Sequence, residues 1–220
     1  MSKKIIAYTD ASSYNNGKKI PSKPQHSCSS GIFVIDNCII YGTYNFNPNT
    51  TNQYGELYAI YMMLTEFYVM ATKSKIYKPP YRLELYSDSA FSVNSINIYI
   101  KGWLRKTTKD GIWLNSSNAP VIYQRMFEEI YEIINDDDDF EIKIRHIKGH
   151  LDFRSRLDIK KAYTSWGKNN GGQVSIDQLK SHIYFNNICD EYAKDALFKS
   201  MKGWIENERT RKRFESFISG

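Results

Sequence analysis

The sequence predicts an α/β domain in which a mixed sheet, extended by a β-hairpin, carries packed helices. Three observations lead there: short apolar runs bounded by turn residues, one long segment with helical spacing, and the order β-β-β-α-β-α-α-β-α. A chain of 220 residues, 41% hydrophobic and 25% charged, can bury a single core, which excludes fibrous and wholly disordered classes.

Ile5-Ile6-Ala7-Tyr8 is a buried-strand signal ending at Thr9-Asp10, and residues 11–30, rich in Ser, Asn, Gly, Lys and Pro, read as a polar loop. Gly31-Ile32-Phe33-Val34-Ile35 and Cys38-Ile39-Ile40-Tyr41 flank Asp36-Asn37 as a hairpin would. Leu57, Ile60, Tyr61, Leu64 and Tyr68 predict a helix over 53–72. Pro79-Pro80 precedes a fourth strand, Arg82-Leu83-Glu84-Leu85-Tyr86, after which Ser87-Asp88-Ser89 signals a helix start ahead of Phe91, Val93 and Ile96. A helix over 121–134 and an alternating strand over 140–147 follow. Residues 151–185 carry a turn at 167–172, and a helix over 186–200 leads into a charged tail.

The net charge of +6 favours an acidic partner such as nucleic acid. Cys28, Cys38 and Cys189 form no CxxC pair and leave one over, so neither a disulfide framework nor a zinc site is expected. That usage suits a reducing compartment, and the first ten residues hold too short an apolar run for a signal peptide. No stretch approaches the roughly 20 apolar residues of a membrane span. A cytoplasmic protein is expected (host-cell cytoplasm if viral), with no membrane association and no obligate protein partner, hence a monomer.

Four acids stand at the ends of elements. Asp10 closes the first strand on the face of Ile6 and Tyr8, where an unpaired charge is costly. Glu56 lies in the first turns of its helix on the stripe of Ile60 and Met63, Asp88 follows the fourth strand, and Asp190 opens the last helix. Taken singly, Asp88 reads as a helix cap, and Glu56 and Asp190 as acids favoured by a helix dipole. Taken together on one sheet edge they would repel one another unless hard divalent cations, Mg²⁺ first, sat between them.

Tyr8-Thr9-Asp10-Ala11-Ser12, Asn52-Gln53-Tyr54-Gly55-Glu56-Leu57, Tyr86-Ser87-Asp88-Ser89 and Cys189-Asp190-Glu191-Tyr192-Ala193 resemble the four acidic motifs of type 1 ribonuclease H. Ile147-Lys148-Gly149-His150 resembles that family's loop ahead of the last acid. The resemblance implies a ribonuclease H-like mixed five-stranded sheet with helices on both faces. It also implies an endonuclease cutting the RNA strand of RNA/DNA hybrids. Asp10, Glu56, Asp88 and Asp190 would then hold two Mg²⁺ ions (Mn²⁺ able to substitute), one activating water and one stabilising the leaving 3′ oxygen. Products would carry 5′-phosphate and 3′-hydroxyl ends, and His150 would aid proton movement or product departure.

By the same resemblance Asn52, Gln53 and Asn186 would touch the hybrid's minor groove, where side-chain amides suit the 2′-hydroxyl. Lys101, Arg105 and Lys106, with Lys109, would neutralise DNA-strand phosphates, while Tyr99 and Trp103 pack against the sugar. Asparagines that only cap, and a solvated basic face with aromatics in the core, are the plainer accounts. Ala11 and Ala90 depart from residues common in the family, the loop after Asp10 is long, and forty positions separate His150 from Asp190. The expected organisation is a ribonuclease H domain over 1–200, an insertion over 151–185 and a basic C-terminal helix or tail over 201–220. The insertion carries Arg154, Arg156, Lys160, Lys161, Tyr163 and Trp166, which suit either nucleic-acid contact or a packing excursion. The tail, with Arg209, Arg211, Lys212 and Arg213, would extend binding or cover the sheet through Trp204 and Phe214. Rival readings are an exonuclease, resolvase or transposase of similar fold, or a non-catalytic hybrid-binding module.

Overall fold

The computed structural model describes residues 4–15, 25–73, 79–135 and 138–218, with side chains through residue 203. The central strand, β1 (Lys4–Tyr14), pairs antiparallel with β2 (His26–Ile35), which pairs antiparallel with β3 (Cys38–Pro48). On its other side β4 (Tyr81–Ser87) and β5 (Phe140–His146) run parallel, giving the order β3-β2-β1-β4-β5. This is the mixed five-stranded sheet expected, antiparallel at the hairpin. Asp36 and Asn37 both take positive φ, the type I′ geometry that matches strand twist and that short polar side chains tolerate.

Helices lie on both faces. Alternation along β1 sends Ile5 and Ala7 to one side, where Leu57, Ile60 and Leu64 of α1 (Asn52–Lys73) complete a core. That core continues through α2 (Ala90–Asn94), a π-helical turn at Ser95–Tyr99, α3 (Ile100–Leu104) and α4 (Gln124–Asn135). Ile6 and Tyr8 face the other side, against Ala162 and Trp166 of α5 (Arg156–Asn169) and Leu179, Ile183 and Cys189 of α6 (Ile176–Ile218).

Several elements differ from their predicted extents. The segment expected as a polar loop over 11–30 is strand at both ends, because β1 runs on to Tyr14 and β2 begins at His26. Its serines are buried yet satisfied: Ser29 Oγ donates to Gly55 O at 2.7 Å and Ser30 Oγ to Cys189 O at 2.9 Å, tying β2 to a helix on each face. Residues 16–24 lie outside the described residues. Ser89, not Asp88, caps α2, accepting from Ser92 N. The turn expected at 167–172 starts later, since α5 runs through Asn169. The last helix begins at Ile176 rather than 186, because Ser175 and Gln178 form a reciprocal capping box at 3.1 Å in each direction. Its backbone continues to Ile218; the expectations for Trp204, Phe214 and the tail's basic side chains lie outside the described residues.

Trp103 also departs from expectation. It is 9% exposed, with its ring 5.1 Å from Phe127 and 6.4 Å from Trp113, so most of it is packed in the core, although it also lines a groove with Tyr99 and Lys106. Trp103→Ala should therefore cost about 3–5 kcal/mol in denaturant unfolding. Native-like stability with a raised KM for substrate would instead restore the role against the sugar.

Candidate active site

The parallel strands β1 and β4 end unequally, and that inequality creates the site. Their register stops at Thr9 opposite Ser87, while β1 continues, so Asp10 is the first β1 residue with no β4 partner. Asp88 immediately follows the last residue of β4. Open α/β sheets offer their binding crevice at such carboxyl ends. Glu56 enters from the second turn of α1, which lies close to the sheet because Gly55 has no side chain. A Cβ there would stand 2.8 Å from Ser27 Oγ and 3.0 Å from Ala11 Cβ.

Carboxylate oxygens of Asp10, Glu56 and Asp88 lie within 4.8 Å of one another. Asp190 stands beside this group but not in it; Lys194 Nζ, one turn along α6, donates to its Oδ2 at 2.5 Å. Cys189 fixes that helix against β1, its Sγ 3.4 Å from Tyr8 O. Lys194 is a site residue to which the sequence motifs assign no role; its signal is the i,i+4 spacing from Asp190.

The acids are held against their electrostatic preference. Burial first, then the charges of Asp88 and Asp190, pushes the Asp10 carboxyl up to about 8. Burial and the Asp10 charge raise Glu56 well above the carboxylate range. Burial raises Asp88 too, against the opposing pull of the His150 imidazole. Asp10 Oδ1 accepts from Ala11 N at 2.7 Å and Glu56 Oε1 from Asn52 Nδ2 at 3.0 Å. The other oxygens, Asp10 Oδ2 and Glu56 Oε2, are buried without a hydrogen-bond partner. Two orphaned carboxylate oxygens among like charges fit a hard divalent cation, which takes oxygen ligands and offsets the repulsion.

The remaining predicted site residues divide. The His150 side chain, 77% exposed at positive φ, has its Nδ1 4.0 Å from Asp190 Oδ2. Gly149 beside it passes so close to Asp88 that a Cβ would overlap the carboxylate oxygen Oδ2. Asn52 is half-buried against Glu56, and Gln53 is exposed next to it. Asn186 is only 2% exposed and its amide bonds to Asp88, so it sits behind the acids rather than on a surface a groove could reach. Lys101, Arg105 and Lys106 are exposed on and after α3 with Tyr99, away from the carboxylate group; Lys106 Nζ reaches Asn118 Oδ1 at 3.3 Å.

A family model described as RNase H matches residues 2–156. Ribonuclease H of Prosthecochloris aestuarii is 31% identical over 166 residues, covering 72% of this chain and 92% of the relative. That of Caldanaerobacter subterraneus is 35% identical over 157 residues, covering 71% and 72%. Among solved structures, LC9-RNase H1, a type 1 RNase H with the type 2 active-site motif, superposes with a TM-score of 0.51 at 17% identity, covering 80% of this chain and 78% of its own. The foamy viral protease–reverse transcriptase in complex with RNA/DNA hybrid superposes with a TM-score of 0.52 at 16% identity, over 74% of this chain and 20% of its own. The chain belongs to the ribonuclease H family and is an enzyme of it.

A raised carboxyl pKa makes stability fall with rising pH, because the folded state then binds the proton more tightly than the unfolded one. For Asp10 the window runs from its ordinary 3.8 up to about 8. The metal-free protein should lose melting temperature across that range, Mg²⁺ should restore it at the upper end, and Asp10→Asn should flatten the profile. A metal-free melting temperature that climbs between those limits would contradict the crowded-carboxylate account.

Proposed function

We propose that this enzyme is an endonuclease that hydrolyses the RNA strand of RNA/DNA hybrids, leaving 5′-phosphate and 3′-hydroxyl ends. Two divalent cations, Mg²⁺ in the first place, would be held by Asp10, Glu56, Asp88 and Asp190. The observation that carries the reading is the carboxylate cluster at the β1–β4 ends with Asp10 Oδ2 and Glu56 Oε2 unpartnered. When bound, such ions neutralise a phosphodiester's charge and supply a nucleophile at neutral pH.

The chain's own residues prepare that position. Asn52 occupies Glu56 Oε1 and leaves Oε2 free. Asn186 fixes Asp88 from behind, and Lys194 fixes Asp190. His150, exposed with its Nδ1 4.0 Å from Asp190 Oδ2, would pass a proton to solvent from beside the acids. Asn52 and Gln53, at the start of α1, would meet the hybrid's 2′-hydroxyls. Lys101, Arg105 and Lys106 would meet phosphates of the DNA strand, with Tyr99 exposed beside them.

The test is a labelled RNA/DNA hybrid compared with RNA/RNA, DNA/DNA and single strands, with Mg²⁺ or with EDTA. Cleavage should be confined to the hybrid with Mg²⁺. Asp10→Asn should abolish it while the circular dichroism spectrum stays native; wild-type-like turnover would overturn the metal assignment. His150→Ala should slow turnover without eliminating it, because the charge stabilisation stays with the acids' ions. Loss as complete as that of Asp10→Asn would place His150 at the centre of the chemistry rather than beside it.

A further inference from the structure

The cationic face of α5 is not used by the site described so far. Lys160, Lys161, Thr164, Ser165 and Lys168 line one side of a groove of about 520 Å³, and Lys148 lines it from the loop that carries Gly149 and His150. Lys161 is partly neutralised by Asp158 at 2.8 Å. Among the described residues, Lys148, Lys160 and Lys168 make no ion pair, and no acid lines the groove.

The helix is mounted firmly. Its other face buries Ala162 and Trp166 in the second core. Just past its C-terminus, the Asn170 amide accepts from His146 N at 3.0 Å and donates to His146 O at 2.7 Å, pairing with the end of edge strand β5 as a neighbouring strand would. Asn169 adds a contact to His146 Nδ1 at 2.8 Å. The family match ends at residue 156, where α5 begins, so the α5 side of this groove lies outside the matched residues while Lys148 lies within them.

Its position fits a polyanion. Gly149, packed on Asp88, is adjacent to Lys148, about 3.8 Å away between Cα atoms. Lys160 to Lys168 spans ~12 Å by helical rise, room for more than one phosphate. The basic residues of α3 belong to the opposite face of the sheet, so the α5 groove is a separate cationic surface.

We propose that the Lys148–Lys160–Lys168 groove is a second phosphate-binding surface, gripping the backbone of the hybrid where it leaves the active site. This rests on the hybrid-cleavage reading for its ligand.

Binding of a fluorescent 20-base-pair RNA/DNA hybrid in EDTA, which prevents turnover, tests it across a KCl series. Lys160→Ala/Lys168→Ala replaces exposed side chains and should leave the melting temperature unchanged. It should weaken binding and flatten log affinity against log salt by about 0.7–0.9 for each phosphate no longer neutralised. With Mg²⁺, it should raise KM much more than it lowers kcat. Lys73→Ala, ~25 Å along α1 from Glu56 by helical rise, removes one charge at a distance and should leave the slope unchanged. An unchanged slope in the double variant, or an equal change in Lys73→Ala, would overturn the groove. Failure of the wild-type enzyme to cut hybrid would count against the ribonuclease reading, whereas the groove stands or falls on the slope.

Discussion

Mutual repulsion among buried carboxylates is the constraint on which this structure turns. Asp10 and Glu56, both buried, and the half-buried Asp88 bring their oxygens within 4.8 Å, and burial is the largest cause of the upward shift in each. A fold seeking only stability would place apolar groups there. The hydrophobic cores on the two faces of the sheet hold the arrangement together, and a divalent cation is the natural partner that relieves it. Such a site lowers the stability of the metal-free chain and raises the affinity of whatever cation fills it.

Close approach is the second requirement, and two glycines supply it. Gly55 lets α1 lie against β1 and β2 so that Glu56 arrives at the strand ends, and Gly149 lets the His150 loop touch Asp88. Any side chain at either position would push an element away from the acids. The amide of Asn186 and the ammonium of Lys194 then hold the two acids nearest α6. Neutral and cationic donors hold Asp88 and Asp190, while Asp10 Oδ2 and Glu56 Oε2 keep no hydrogen-bond partner.

The segment between His150 and Asp190 adds a helix without disturbing this geometry. Asn170 satisfies the end of β5 with a side-chain amide, so the edge strand is closed where it would otherwise be open. The same anchoring keeps the charged face of α5 beside the loop that ends in His150. Structural closure of an edge and presentation of a cationic surface are thus one device.

The sequence by itself determined the strand-rich opening, the Asp36-Asn37 turn, the long helix over 53–72 and the four acidic motifs, though not the element ends it expected at Asp10 and Asp190, since β1 runs on to Tyr14 and α6 starts at Ile176. These are local signals: alternation, helical period, turn chemistry and short motifs, each complete within a few residues. It did not determine the lengths of β1 and β2, because His26-Ser27-Cys28-Ser29-Ser30 is polar in composition and is strand only through partners on both sides. Nor did it settle Trp103 and Asn186, whose residue types suit a surface contact as well as a core. Their burial follows from Phe127 and Trp113 in one case and from Asp88 in the other, all distant in sequence. Tertiary structure alone decided that β4 stops one residue short of Asp10, that Asp190 lies beside the three clustered acids rather than among them, and that α5 faces the His150 loop. Those outcomes depend on strand register and helix docking, which are set by contacts between segments far apart in the chain.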